Sequence, residues 1–453
     1  MAKKKKKQAS TISMPVVNPN AAGIDAGSRS HYVCVAQDNV KEFKSHTNGL
    51  HQICHHLQGH KIKTVALEST GFYWQQLFSM LQSYGFEVIL VNARHLRNVK
   101  GHKTDVVDSK WIQLLHSIGL LSNSFLPDDF TTEIRQYTRH RRSLIESSTR
   151  HTQKMNKSLY LMNIQLKTVL RDLTGASGIR VIEAIVNGER RPQELTKIVG
   201  QNVKASRKEI EEALTGDWRS EHLFELSQNY ASYKFIWKQI YETDKQIEAS
   251  LKQWESEHSN TEKKNEYRQL KGKKPRQKND PKFDVKSYAY QMTGGVDLSQ
   301  IEGVNINTIM TMMSETGFDI VNHFATPKHF TSWLGVAPNR KITGGKTISS
   351  STTKVKNPLS YAIRQAANSA GNGEGRLADF FRRIAYRKGR EVAVIATARK
   401  IAVIMYRMLE SGESYNYSYS QTEKDRIRHA QLKNMSKKMK QLNISEEELN
   451  FAM

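Results

Sequence analysis

The chain has 453 residues, long enough for two or three domains with cores of their own, and its 69 lysines and arginines against 44 aspartates and glutamates leave a formal charge of +25. That surplus, with 8% aromatic residues and no membrane-length apolar run, points to a polyanion held through its phosphates and argues against a membrane protein. Two cysteines, Cys34 and Cys54, exclude a disulfide framework and suit a reducing cytoplasm.

Residues 1–18 carry the run Lys3 to Lys7 and are expected to form a disordered basic arm, the lysines serving either as an electrostatic contact or as a solubilising tail; no apolar stretch of a secretory signal follows it. A carboxylate domain is predicted over 19–125. Gly23-Ile-Asp25 stands just before the alternating run His31 to Ala36, which places Asp25 on or just after the first strand of a hairpin. Lys41 to Ser45 reads as a short third strand and Gly49 to Leu57 as a helix. Thr64-Val-Ala-Leu-Glu68 reads as a strand ending in Glu68, with Ser69-Thr-Gly71 as a break before a helix over Phe72 to Tyr84. Phe86 to Val91 is a buried strand. Lys103-Thr-Asp105-Val-Val-Asp108 then opens a helix, and the three-residue spacing sets Asp105 and Asp108 on one face.

A single aspartate at a strand end is usually a turn residue or a cap. Four carboxylates drawn from two strand ends and one helix are instead an oxygen-donor set suited to Mg²⁺, or Mn²⁺ in its place, and such an ion can clamp a phosphodiester. The order of strands, helices and carboxylates follows an RNase H-like α/β layout. His51, His55 and His56 also cluster, but without a matching ligand set they read as a solvated helix face.

Residues 126–260 are expected to be helical. Leu144, Ile145, Leu159, Met162, Leu166, Val169 and Leu170 recur near helical spacing, shorter helices are inserted between Ile179 and Phe224, and Tyr233, Ile236, Trp237, Ile240, Ile247, Leu251 and Trp254 form a stripe for coiled-coil or bundle packing. A spacer, a dimer-forming arm and a nucleic-acid clamp all fit this region. Residues 261–283 have almost nothing apolar to bury and read as a basic linker.

A mainly α C-terminal domain is predicted over 284–411. Ile301-Glu-Gly-Val-Asn305 reads as a turn entering a helix that stops at Gly317, either a helix-hairpin-helix element or a plain helical hairpin, with Asn305 in the left-handed place of a second glycine. An apolar helix follows from Phe330 towards Pro338. Asn339 to Lys356 is then expected to be a glycine-flexible loop presenting hydroxyls among Arg340, Lys341, Lys346, Lys354 and Lys356; the cations would steady developing charge while a hydroxyl attacks a phosphodiester. Gly344-Gly-Lys-Thr347 lacks the spacing of a phosphate-binding P-loop. Helices should continue from Asn357, and 412–453 reads as a polar basic tail with a last helix near Glu446.

Taken in order, Gly23-Ile-Asp25, Glu68-Ser-Thr-Gly71, Asn92-Ala-Arg94, Lys103-Thr-Asp105 with Asp108, Glu302-Gly303, Trp333-Leu-Gly335 through Pro338 and Gly344-Gly-Lys346 resemble the DEDD-type transposases of bacterial insertion sequences, a family that includes the pilin-gene invertase Piv. The resemblance runs over nearly the whole chain. It implies a RuvC-like N-terminal domain, a helical arm that dimerises and a C-terminal transposase domain carrying a nucleophilic serine. It further implies DNA recombination guided by a structured RNA from the element's own end, assembly as a homodimer or homotetramer, and a cytoplasmic protein at the nucleoid. In that scheme Asp25, Glu68, Asp105 and Asp108 bind Mg²⁺ beside the scissile phosphate.

The family's serine precedes the Gly-Gly-Lys stretch, where this chain has Thr343. Three readings follow: Thr343 is the nucleophile, one of Ser349, Ser350 and Ser351 has taken the role, or strand exchange is impaired in this copy. The leading expectation is a recombinase working through a covalent protein–DNA intermediate. The alternatives are a RuvC-like metal-dependent structure-specific endonuclease and a non-catalytic, transposase-derived nucleic-acid-binding protein.

Overall fold

The computed structural model describes residues 15–36, 39–69, 71–92, 104–258, 277–413, 415 and 421–442. The Lys3 to Lys7 run, Ala93, Arg94, Lys103, most of the expected linker and the helix expected near Glu446 lie outside them. The chain divides into two units, Met1–Leu126 and Pro127–Met453. Among the described residues no helix is long and apolar enough to cross a membrane.

In the first unit, strands β1 (Ala21–Ala26), β2 (Ser30–Ala36), β3 (Asn39–Lys44), β4 (Thr64–Glu68) and β5 (Glu87–Val91) form one sheet in the order β3-β2-β1-β4-β5. The first three are an antiparallel meander, while β4 and β5 run parallel to β1. Helices α1 (Thr47–Gly59) and α2 (Trp74–Ser83) supply the crossovers that parallel strands require. They cover one face, where Ile24, Val33, Val65, Leu67 and Leu90 meet Leu50, Ile53, Leu57, Leu77 and Leu81. Each such side chain contributes about 1.5–3 kcal/mol on full burial. Helix α3 (Asp105–Ser117) covers the other face, with Ile112 against Ala66 and Val91. β4 is thus packed on both sides, which is why its middle is apolar without alternation. Cys34 and Cys54 are buried and not joined in a disulfide, and burial pushes Cys54 up to about 11.

The second unit begins with α4 (Asp129–Leu161), followed by α5 (Leu166–Val169), α6 (Ala176–Val186), α7 (Pro192–Ile198), α8 (Arg207–Ala213) and α9 (Ser220–His258). At 33 and 39 residues, α4 and α9 span roughly 50 and 58 Å. They run antiparallel: Glu133 lies by Ser250, Arg141 by Asp244 and His151 by Asn229. The stripe read in the sequence is their seam, with Leu144 packed on Ile236 and Ile240. The short helices close a separate core around Ile182, Leu195, Leu214 and Leu226.

The remainder comprises α10 (Val285–Met292), a 3₁₀ turn (Leu298–Gln300), α11 (Ile306–Thr316), α12 (Ile320–His323), α13 (Pro327–Trp333), a hairpin of β6 (Lys341–Thr343) and β7 (Lys346–Ser349), and helices α14 (Pro358–Gly371), α15 (Arg376–Lys388), α16 (Arg390–Ser411) and α17 (Gln421–Leu442). Helix α17 occupies part of the expected polar tail. Asn305 does not adopt the left-handed geometry expected of it. It is extended at φ −116° and caps α11, accepting from the Thr308 amide at 2.9 Å. The positive φ falls on Gly303, whose turn comes so close to α14 that a Cβ would lie 2.1 Å from the Ala366 carbonyl oxygen.

The two long helices and the C-terminal helices are tied by buried ions. Arg141 donates to Asp244 at 2.5 Å and to the Asn279 carbonyl at 3.1 Å, and Asp244 also accepts from the Lys282 amide at 3.2 Å. Glu315 on α11 takes a bidentate pair from Arg139 at 2.9 and 2.7 Å, while Arg135 donates to its backbone carbonyl at 2.5 Å.

Candidate functional site

Strand alternation and one close helix contact decide where the four carboxylates of the first unit stand. At Gly23 a Cβ would meet the α3 backbone, 2.2 Å from the Gln113 nitrogen and 2.7 Å from the Ser109 oxygen, so this side of β1 faces α3. Asp25, two residues on, shares that side. On β4 the side facing α3 carries Thr64, whose hydroxyl bonds His116 at 2.9 Å, then Ala66 and Glu68. The parallel register runs through Ile24 beside Leu67, which sets Asp25 beside Glu68 at the strand ends.

Helix α3 completes the arrangement. His116 sits at the start of β4, and Ser109 and Gln113 lie by the middle of β1, so the first turn of α3 reaches towards the same strand ends. Asp105 and Asp108 continue the buried stripe of Ser109, Ile112 and His116 by one turn. All four carboxylates therefore share one face and one end of the sheet. Asp25, Glu68 and Asp108 are half-buried and Asp105 is exposed. Thr104 caps the helix by accepting from the Val107 amide at 3.3 Å, and acids in a first turn also favour the helix dipole.

Among the described residues no group of three or more His, Cys, Asp and Glu side chains converges closely enough to hold a metal ion. The backbone sets the four on one face of the sheet, but their side chains do not meet as a ligand sphere. In chemistry and placement, four carboxylates on one face suit a divalent cation, which takes oxygen ligands. Away from them, burial lowers the pKa of His116, at the start of β4, and that of His31 on β2.

The hydroxyl-bearing segment lies in the second unit and is not the open loop expected. It is a two-stranded hairpin in which Thr343 pairs with Lys346 across Gly344-Gly345, both at positive φ (54° and 74°), as a two-residue turn of the primed kind requires. Thr343 is exposed, as are Arg340, Lys341, Lys346, Lys354 and Lys356. The Ser349 and Ser351 hydroxyls bond each other at 3.2 Å, so the serines weighed against Thr343 are partly engaged.

Sequence reasoning missed the contact at Gly23 and the aromatic pair Phe72–Tyr73, centroids 4.5 Å apart, in the turn after Glu68. Phe72 is 69% exposed. Gly71, at φ 61°, was the signal that the helix starts beyond these two rings.

Residues 22–164 match a DEDD transposase model of the IS110 kind, described as a transposase, and residues 297–381 match the model described as the transposase IS116/IS110/IS902 family. The first match takes in all four carboxylates and the second the hairpin with its hydroxyls and cations. No curated protein matches the chain. Two domain models of one kind, matched in order along the chain, identify a DNA transposase carrying the two domains of the IS110 family.

Proposed function

We propose that this transposase cuts and rejoins DNA through a covalent link to the Thr343 hydroxyl, with an RNase H-like, RuvC-like first unit whose Asp25, Glu68, Asp105 and Asp108 hold Mg²⁺. The observation that carries the reading is the placement of those four carboxylates on one face at one end of a sheet ordered β3-β2-β1-β4-β5. A bound divalent cation would supply Lewis-acid polarisation of a phosphodiester oxygen. Thr343 Oγ forms the bond to phosphorus, its proton passing to solvent, while the bond to the leaving nucleoside oxygen breaks and that oxygen is protonated. Attack by an incoming strand's hydroxyl reverses these changes and frees Thr343. Arg340, Lys341, Lys346, Lys354 and Lys356, exposed around the hairpin, hold phosphates and offset the developing charge. The partners in this reading are DNA, a guide RNA from the element's end that carries the sequence information by base pairing, and a second or further copies of the chain.

The test is capture of the protein–DNA adduct with the element's end DNA and flanking RNA supplied, followed by peptide mass spectrometry. A link at Thr343, lost in Thr343→Ala and retained in Thr343→Ser, is expected. A link at Ser349, Ser350 or Ser351 moves the nucleophile. Cleavage with no adduct replaces recombination with hydrolysis by an endonuclease.

A further inference from the structure

Within the second unit, α4, α11 and α14 enclose a groove that neither the carboxylates nor the hairpin account for. Its deepest part is a cavity of about 310 Å³ lined by residues of all three helices, among them Arg142, Asn307, Thr311, Tyr361 and Gln365. Two adjoining recesses of about 280 and 300 Å³ carry it outward past Lys356 and Arg364. Arg139 is already paired with Glu315 on the floor. Arg142 makes an exposed ion pair with Glu146 on its own helix, at 3.1 Å, which is a weak interaction. Its guanidinium lies 5.3 Å from the Tyr361 ring across the groove, and Tyr361 is still 56% exposed.

We infer that this groove binds single-stranded nucleic acid, with one unpaired base stacked on Tyr361 in the cavity and the flanking phosphates on Arg142, Lys356 and Arg364. The inference rests on the nucleic-acid reading above and adds a strand type and a place. An exposed aromatic ring flanked by cations is the arrangement that holds single strands, since every base has a π-face and the backbone follows the charges. Bases in an intact duplex are stacked on each other and are not available to the ring. The side-chain amide of Gln365 offers a donor and an acceptor to a base edge, and Asn307, whose amide nitrogen donates to Asp280 at 2.9 Å, offers its side-chain oxygen. The volume is at the small end of ligand sites, room for a base rather than a folded peptide. Single strands could come from RNA or from unpaired DNA; the chemistry on Tyr361 is the same for both.

Full-length protein is titrated with labelled oligonucleotides of about 12 nucleotides, the span of a typical single-strand site, as RNA, as DNA and as a blunt duplex. A central 2-aminopurine reports stacking by loss of fluorescence. Tyr361→Ala is expected to weaken single-strand binding about 5- to 150-fold and to abolish the quench, since stacking contributes ~1–3 kcal/mol per base. Tyr361→Phe should keep both, Arg142→Ala should weaken single-strand binding, and duplex affinity and melting temperature should stay at wild-type values in all three. Preference for the RNA or the DNA strand names the source and supports the site in either case. Unchanged single-strand affinity and quench in Tyr361→Ala overturns the inference alone, as does wild-type protein that binds duplex and ignores single strands. Failure to bind any nucleic acid overturns the functional reading with it.

Discussion

Replacing Gly23 with alanine tests whether the seating of α3 on the sheet sets the carboxylate site. The new Cβ would stand 2.2 Å from the Gln113 nitrogen, 2.7 Å from its Cα and 2.7 Å from the Ser109 oxygen, against 3.4 Å for ordinary contact. All three atoms are backbone, so no side chain can swing aside. β1 is held at the centre of the sheet by β2 and β4, which leaves the helix to move, by roughly 1 Å. Overpacking of this kind costs about 1–3 kcal/mol, a modest fall in melting temperature. The larger effect falls on Asp105 and Asp108, which ride on the displaced helix while Asp25 and Glu68 stay with the sheet. A misplacement of ~1 Å in a catalytic constellation costs on the order of 100-fold in rate. End-labelled DNA carrying the element's ends, incubated with Mg²⁺ and the flanking RNA, should therefore be cleaved about 100-fold more slowly by Gly23→Ala, with DNA affinity retained. Wild-type cleavage and melting temperature in this variant would refute the close contact and the dependence of the site on it.

Asp25→Ala, Glu68→Ala, Asp105→Ala and Asp108→Ala should each abolish cleavage with the melting temperature kept, because each removes oxygen donors from the proposed cation site rather than core contacts; a variant that cuts normally in Mg²⁺ leaves the set. Asp244→Ala strands the Arg141 guanidinium and the Lys282 amide in a site where both ionic side chains are at most 4% exposed, and should destabilise the second unit by about 3–5 kcal/mol in urea unfolding, whereas the Arg141→Leu, Asp244→Leu pair should recover most of that. An undiminished urea midpoint in Asp244→Ala contradicts the described pair. His31 and His116 are held below their ordinary pKa of 6.5 by burial, so the unfolded chain takes up protons first as pH falls. Stability present above about pH 6.5 should be lost below it, and a melting temperature of the first unit that stays flat from about pH 7.5 to 5.5 counts against neutral buried rings.

The strands of the first unit were legible because burial on one or both faces writes itself into the sequence, as in Thr64-Val-Ala-Leu-Glu68. The stripe from Tyr233 to Trp254 was legible for the same reason. The hairpin was not: residues 341–348 are all exposed, so no alternation of burial marks its strands, and Gly344-Gly345 reads as flexibility until its two positive φ angles are seen. Nor was Glu315, a carboxylate buried in an apolar helix because Arg135 and Arg139, far back in the chain, supply its partners. Asn305 was misread because an asparagine entering a helix fits a left-handed turn and an extended cap equally well; the neighbouring Gly303 decides between them. The contact at Gly23 depends on how closely a helix more than eighty residues later approaches, which no local pattern records.

The hairpin has a consequence for how the protein behaves before it meets a substrate. Ile342 and Ile348 are 60% and 69% exposed, so the ribbon has no packed face of its own, and two strands without one are marginal in water. Its backbone amides should therefore exchange with solvent within the shortest labelling times, while those of β1 and β4 persist. The ordering of Thr343 is then decided less by the folded chain than by whatever lies across the ribbon. A ligand that quiets exchange there loses part of its binding free energy to ordering the segment, so affinity measured at the hairpin understates the strength of the contacts it makes.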